Sequence, residues 1–212
     1  MIGERPRIAV LDYGIGNLRS ATKALQRVGG DAKLVTDPAE AAAADGVVLP
    51  GVGAFGRCAE ALAANGLEAT ARAAATDGRP FLGICIGMQL LYEESEESPG
   101  TPGLAVLAGR IRLLPDGVKR PQMQWNRLDA RGAGAINSAL DAGAGEAWVY
   151  FVHSYAAPDG EDVVTTCDYG GPVTAAVERG PLWATQFHPE KSGATGLALL
   201  AGFVVACAAV AA

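Results

Sequence analysis

Residues 81–97 read FLGICIGMQLLYEESEE: an apolar, strand-like run hands over to helix-like spacing, with one cysteine at the joint between two glycines. A free cysteine is a small hydrophobe and by default belongs in a core. The flanking Gly83 and Gly87 argue for a different use of Cys85. G-I-C-I-G repeats, with sulfur in place of oxygen, the G-x-S-x-G turn in which a nucleophile stands on a strained junction of strand and helix. Small residues are needed at both flanks because such a turn crowds its backbone against a neighbouring strand, and a side chain at its tip projects clear of the sheet. A helix beginning near Gly87 would aim its N-terminal dipole at the sulfur and favour thiolate over thiol.

The strand PFLGI that leads into this turn is one of a series. RIAVLDYG reads as a buried strand, and NLRSATKALQRVGG follows with Leu18, Ala21, Leu25 and Val28 at helical spacing before a Gly-Gly stop. AKLVTD, the short helix DPAEAAAAD, the strand GVVLP and a helical stretch over 54–76 complete a βαβα order, which implies a parallel sheet with right-handed crossovers. Beyond about residue 104 the pattern becomes β-runs separated by turn residues: IRLLP, MQWNRLD, AWVYFVHSY, VVTTCDYG, PVTAAVERG and LWATQFHP. The expected fold class is therefore α/β, with a mixed, mostly parallel sheet flanked by helices and a single domain over 1–212. ARGAGAINSALDAGAGEA, from residue 130, reads as a loose connection.

A formal net charge of −6 over 212 residues offers no basic face for nucleic acid. Cys58, Cys85, Cys167 and Cys207 lie far apart and form neither a C-x-x-C pair nor a Cys/His cluster. A disulfide framework and a metal site are both unexpected, and a reducing, cytoplasmic location is the default. The start MIGERPRIAV lacks the apolar region of a signal peptide. From Ser192 onward there is no charge, but GLALLAGFVVACAAVAA is alanine-rich and shorter than the roughly 20 strongly apolar residues of a spanning helix. It is expected to pack on the domain, with no membrane involved.

A thiolate nucleophile needs a base, and the chain holds only two histidines. His188 follows the apolar run LWATQF and precedes Pro189, which biases it to an extended conformation. Residues i and i+2 of an extended segment share a face, which sets Glu190 beside His188 as the carboxylate that fixes its tautomer. His153, in YFVHSY, alternates with apolar positions and is expected to be structural. An acyl-transfer site also needs donors for the oxyanion. The N–H of Ile86, next after the cysteine, is one; PGVGAFG at 50–56, with Val52 and Gly53, is the expected source of another. The G-x-G-x-x-G at Gly51, Gly53 and Gly56 is set aside as a dinucleotide fingerprint, since Pro50 precedes it and it lies outside the first βα turn.

A cysteine in such a turn followed at a distance by His-x-Glu resembles the class I glutamine amidotransferases, a flavodoxin-like α/β family, and the resemblance runs the whole length of the chain. DYGIGNLRS, LPGVGAF, GICIGMQLLYEESEE, YFVHSY and QFHPEKS together resemble the glutaminase subunits of imidazole glycerol phosphate synthase. That resemblance implies a Cys85–His188–Glu190 triad that hydrolyses glutamine through a thioester, without a cofactor. It implies that Gln89 and Glu97, on the helix after the nucleophile, hold the glutamine together with backbone around Gly53, Ser154 and Tyr155. It implies a cyclase partner with a (β/α)8 barrel that receives the ammonia, with Asn17, Trp125 and Lys191 at or near the subunit interface. Of the acidic run Glu93, Glu94, Glu96 and Glu97, most are expected to form a solvated helix face. One stretch departs from the family: where it has Pro-His-Met-Gly-Trp-Asn, this chain reads PQMQWN, with Gln122 and Gln124 near the expected partner surface. Two alternatives stand beside this reading. One is an ammonia-supplying subunit of another synthase, such as that of the pyridoxal phosphate pathway, against which DYGIGN and EKS speak; the other is a non-catalytic binding module with Cys85 buried.

Overall fold

The structure, a computed structural model, describes residues 5–142 and 145–210. The first half alternates β1 (Arg7–Leu11), α1 (Leu18–Arg27), β2 (Asp31–Val35), α2 (Pro38–Ala42), β3 (Gly46–Gly51), α3 (Phe55–Ala64), α4 (Glu68–Ala74), β4 (Phe81–Cys85) and α5 (Ile86–Gln89). Short strands β5 (Glu94–Ser95) and β6 (Arg110–Leu113) lead to β7 (Gln122–Arg127), β8 (Asp129–Ala130) and α6 (Ala135–Asp141). The chain closes with β9 (Trp148–His153), β10 (Tyr155–Ala156), β11 (Val163–Asp168), β12 (Pro172–Arg179), β13 (Leu182–Thr185), a 3₁₀ turn (Pro189–Lys191) and α7 (Gly193–Val210).

Among the described residues the main sheet has eight strands in the order β2-β1-β3-β4-β13-β12-β11-β8. It is parallel from β2 through β13 and antiparallel beyond, as the sequence pattern predicts. GVVLPG and FLGIC are buried at every position because helices cover both faces of these central strands. The chain leaves β1 toward β2 on one side and returns to β3 on the other, which opens a crevice at the carboxyl ends of the strands. Cys85 stands at that end of β4.

Three expectations change. The later β-runs do not all join one sheet: β6 pairs with β10 and β5, and β7 with β9 forms a separate antiparallel ribbon. The glycine- and alanine-rich stretch from residue 130 is not a loose connection where it is described, because α6 buries Ile136, Asn137 and Leu140 and packs on α7; residues 143 and 144 of that stretch lie outside the described residues. The acidic run is not a helix face either. Glu94 sits in β5, while Glu93 and Glu96 accept hydrogen bonds from the N–H groups of Gly109 and Leu113. α7 is long and apolar enough to cross a membrane, yet it buries Leu199, Leu200, Phe203, Val204 and Cys207 and packs on α6 and α1, as expected.

Candidate active site

Cys85 has φ 55° and ψ −110°, a backbone geometry that side-chain-bearing residues adopt only under constraint from their surroundings. The constraint is visible on both flanks. A Cβ on Gly87 would lie 1.7 Å from the Leu49 carbonyl oxygen of β3, and one on Gly83 would lie 2.9 Å from the carbonyl oxygen of Gly87. Neither glycine can be replaced without moving β3 or the turn, so the spacing G-x-C-x-G is a packing requirement. The helix behind the turn is shorter than expected: α5 has four residues, a single turn whose dipole is small. The groups that act on the sulfur come from elsewhere.

They come from β13 and the turn after it. Thr185 pairs with Ile84, so the next residue, Gln186, arrives beside Cys85; its Nε2 lies 3.8 Å from Sγ. His188 follows in extended conformation, its backbone N–H bonded to the Tyr150 carbonyl at 3.1 Å. Glu190 is not on a continuing extended segment, as the i+2 argument assumed. It lies in the 3₁₀ turn, which curls its carboxylate back so that Oε1 sits 2.9 Å from His188 Nδ1. Ser192 locks the turn, donating to the His188 carbonyl at 2.6 Å and accepting from the N–H of Tyr150 at 3.0 Å. α7 closes over it so tightly that a Cβ on Gly196 would lie 1.9 Å from the Pro189 carbonyl oxygen.

The His188 and Glu190 side chains are each 2% exposed, which makes their pairing decisive. Burial by itself disfavours the imidazolium. Hydrogen bonds and charge from Cys85 and Glu190 overcome it and raise the His188 pKa to about 9. The sulfur and the carboxylate thus both favour a proton on His188. Asn17 donates to the same Glu190 oxygen at 3.3 Å; it is partly buried and orients the carboxylate, a contact that its assignment to a subunit interface did not include.

A cleft of about 540 Å³ opens over Cys85 and His188, within the range of small-molecule sites. Val52, Gly53, Cys85, Ile86, Gln89, Glu97, Ser154, Tyr155, His188 and Lys191 all line it, as does Asn17. Gln89 Nε2 donates to the Tyr155 carbonyl at 2.9 Å and to Gln186 Oε1 at 3.0 Å, leaving its own Oε1 buried without a partner. Glu97 is not on the helix with Gln89. It follows β5, and its Oε2 accepts from the N–H of Phe55 at 2.7 Å, at the start of α3. Trp125 stands apart from the cleft on the β7–β9 ribbon, 49% exposed and packed edge-on to Tyr150. On the same ribbon Gln124 is exposed in regular register with Phe151, so its side chain leaves the backbone undisturbed, whereas Gln122 is fully buried and faces inward. Among the described residues no cluster of three or more His, Cys, Asp or Glu could hold a metal.

Two contributors escaped the sequence reading. Gln186 shares the alternation of His188 and stands two residues before it, a signal that extending the same argument backward would have found. Gln122 bonds with His153, whose Nε2 lies 2.9 Å from Oε1 of the amide, and this pairing across 31 residues leaves no local trace.

Residues 9–207 match the family model described as glutamine amidotransferase class-I. The chain is 49% identical to the imidazole glycerol phosphate synthase subunit HisH of Methanothermobacter thermautotrophicus over 93% of this chain and 97% of that protein. It is 48% identical to the protein of the same name from Deinococcus radiodurans, with 93% of each covered. Among solved structures it superposes on a glutamine amidotransferase with a TM-score of 0.70 at 23% identity, over 92% of this chain and 98% of the other. PurLQS from Thermotoga maritima gives 0.69 at 20% identity, over 95% and 98%. The architecture is thus shared widely and the sequence more narrowly: the chain belongs to the class-I glutamine amidotransferases and, within them, to the family of the imidazole glycerol phosphate synthase HisH subunits.

Proposed function

We propose that this chain, as a single amidotransferase domain over 1–212, is the glutaminase subunit of an imidazole glycerol phosphate synthase, with Cys85 as nucleophile, His188 as acid and base, and Glu190 as the group that holds His188. The observation that carries the assignment of roles is the strained Cys85 in one cleft with a buried His188–Glu190 pair 2.9 Å apart. With the proton held on His188, the Cys85 sulfur attacks the side-chain amide carbon of glutamine. The N–H of Ile86, with the backbone at Val52 and Gly53, stabilises the oxyanion. Collapse of the intermediate breaks the C–N bond, His188 passes its proton to the leaving nitrogen, and ammonia departs from a thioester. Water, deprotonated by His188, then releases glutamate and frees the Cys85 sulfur, with the proton again on His188.

Gln89, whose Oε1 is unpartnered, and Glu97 both line the cleft and supply acceptors suited to the ammonium of an amino acid. Ser154 and Tyr155 supply the wall beside them. The partner is a cyclase subunit with a (β/α)8 barrel, forming a heterodimer in the cytoplasm, where the four free thiols persist. Ammonia passes to a ribulosyl aminoimidazole carboxamide nucleotide there, because ammonia released into bulk water protonates and loses its nucleophilicity. Trp125, Lys191 and Asn17 lie at or near that interface.

The test is glutamine-dependent formation of imidazole glycerol phosphate by the chain combined with a purified cyclase subunit. Wild type forms product and glutamate together; Cys85→Ala forms neither from glutamine but still supports the reaction from added ammonia. Equal glutamate release by both forms would remove the assigned nucleophile.

A further inference from the structure

The amide of Gln186 is turned by the rest of the molecule so that it can only donate to the Cys85 sulfur. A backbone carbonyl has a fixed role in a hydrogen bond, because it can only accept. The Tyr155 carbonyl accepts from Gln89 at 2.9 Å, so the atom of Gln89 facing it must be the nitrogen. That nitrogen has a second hydrogen, directed at Gln186 3.0 Å away, so the atom of Gln186 facing it must be the oxygen. The other end of the Gln186 amide is then the nitrogen, and it faces Cys85 Sγ at 3.8 Å, a distance suited to an N–H···S contact. Gln89 and Gln186 are 1% and 0% exposed. With both side chains buried, these contacts set the polarity of the chain from Tyr155 through both amides to the sulfur.

We infer that Gln186 is a further catalytic residue of this site: an N–H donor, oriented through Gln89 by the Tyr155 carbonyl, that holds the Cys85 sulfur and stabilises its ionised form. A buried amide that donates to a thiolate favours it over the thiol, since charge-assisted hydrogen bonds are the strong ones. It also fixes the direction from which the sulfur attacks. The same geometry links the cleft to the nucleophile, because Gln89, which lines the cleft, is also the residue that orients the Gln186 amide. The inference rests on the reading of Cys85 as nucleophile.

The experiment is the pH profile of Cys85 alkylation by iodoacetamide, read by peptide mass analysis, on the full chain. Gln186→Glu separates the two contacts: a carboxylate still accepts from Gln89 but cannot donate to sulfur. Gln186→Met removes both and remains apolar, so it also serves if a buried carboxylate prevents folding. Each folded variant is expected to alkylate about tenfold more slowly at neutral pH, with the profile displaced to higher pH. With the cyclase present, Gln186→Glu lowers kcat and leaves the KM for glutamine within about threefold, whereas Gln186→Met also raises KM. A residue that merely fills space would change thermal stability and leave the alkylation profile on that of wild type; that result, in either folded variant, overturns the inference. Failure of wild type to alkylate at Cys85 ahead of the other cysteines would instead overturn the reading of Cys85 itself.

Discussion

The two histidines of this chain are both buried, both within the wall of one cleft, and chemically opposite. His188 faces a carboxylate and a sulfur, and its pKa rises to about 9. His153 has neutral partners only: Nδ1 is 2.8 Å from the Tyr155 carbonyl and Nε2 is 2.9 Å from the Gln122 amide. There burial dominates, and the pKa falls to about 4. Burial penalises the charged ring in both places; what differs is whether an opposite charge repays it. The Gln122 amide stands between His153 and a core thiol: its Oε1 lies 2.9 Å from His153 Nε2, and its Nε2 donates to Cys167 Sγ at 3.7 Å. The Gln122 that departs from the family pattern is thus a buried partner of His153.

Loss of the charged ring costs far more than loss of the neutral one. His188→Ala, assayed with the cyclase present, is expected to lower the rate of glutamate formation by about 10³-fold or more, since it removes the proton carrier of both half-reactions. His153→Gln, which keeps a donor for Tyr155, is expected to stay within about tenfold of wild type, the size of a supporting contact rather than a reacting one. Similar losses in the two variants would dissolve the distinction.

Glu190→Gln gives His188 a neutral partner of the same shape, and so places it among neutral partners on that side, as His153 already is. The His188 ring is expected to lose its proton well below pH 9, observable by NMR titration of the imidazole, with kcat reduced about a hundredfold. An unchanged titration would show that Glu190 contributes nothing to the charge of the ring.

The same contrast explains what could be read from the sequence. The elbow at Cys85 was legible because its requirement is local: two glycines, each forced by backbone within a few residues or one strand away. Glu190 was correctly set beside His188, but for a reason the structure replaces, a 3₁₀ turn where an extended segment was expected. α6 was hidden because alanine and glycine mask the spacing of Ile136 and Leu140, whose burial depends on α7 more than fifty residues later. Gln186 and Gln122 were hidden for a deeper reason. Each is a neutral amide in a strand-like run, and its meaning comes from a partner brought close only by the fold: Gln89, 97 positions away, and His153, 31 positions away.

The smallest effect separates the histidines by stability alone. An unfolded His153 takes up a proton near pH 6.5, whereas the folded chain refuses it until about pH 4. Between those values the unfolded state binds more protons, so stability falls as pH falls, by at most about 1.4 kcal/mol per pH unit from this group. His188 acts on the other limb: its raised pKa stabilises the fold fully below about pH 6.5, and that contribution is lost as pH rises through about 9. Urea unfolding of the full chain across pH 4 to 9 reads both limbs. Relative to wild type, His153→Gln is expected to flatten the acid limb and leave the alkaline one, while Glu190→Gln flattens the alkaline limb and leaves the acid one. If both variants changed the same limb, the two rings could not be charged and neutral in the way their partners dictate.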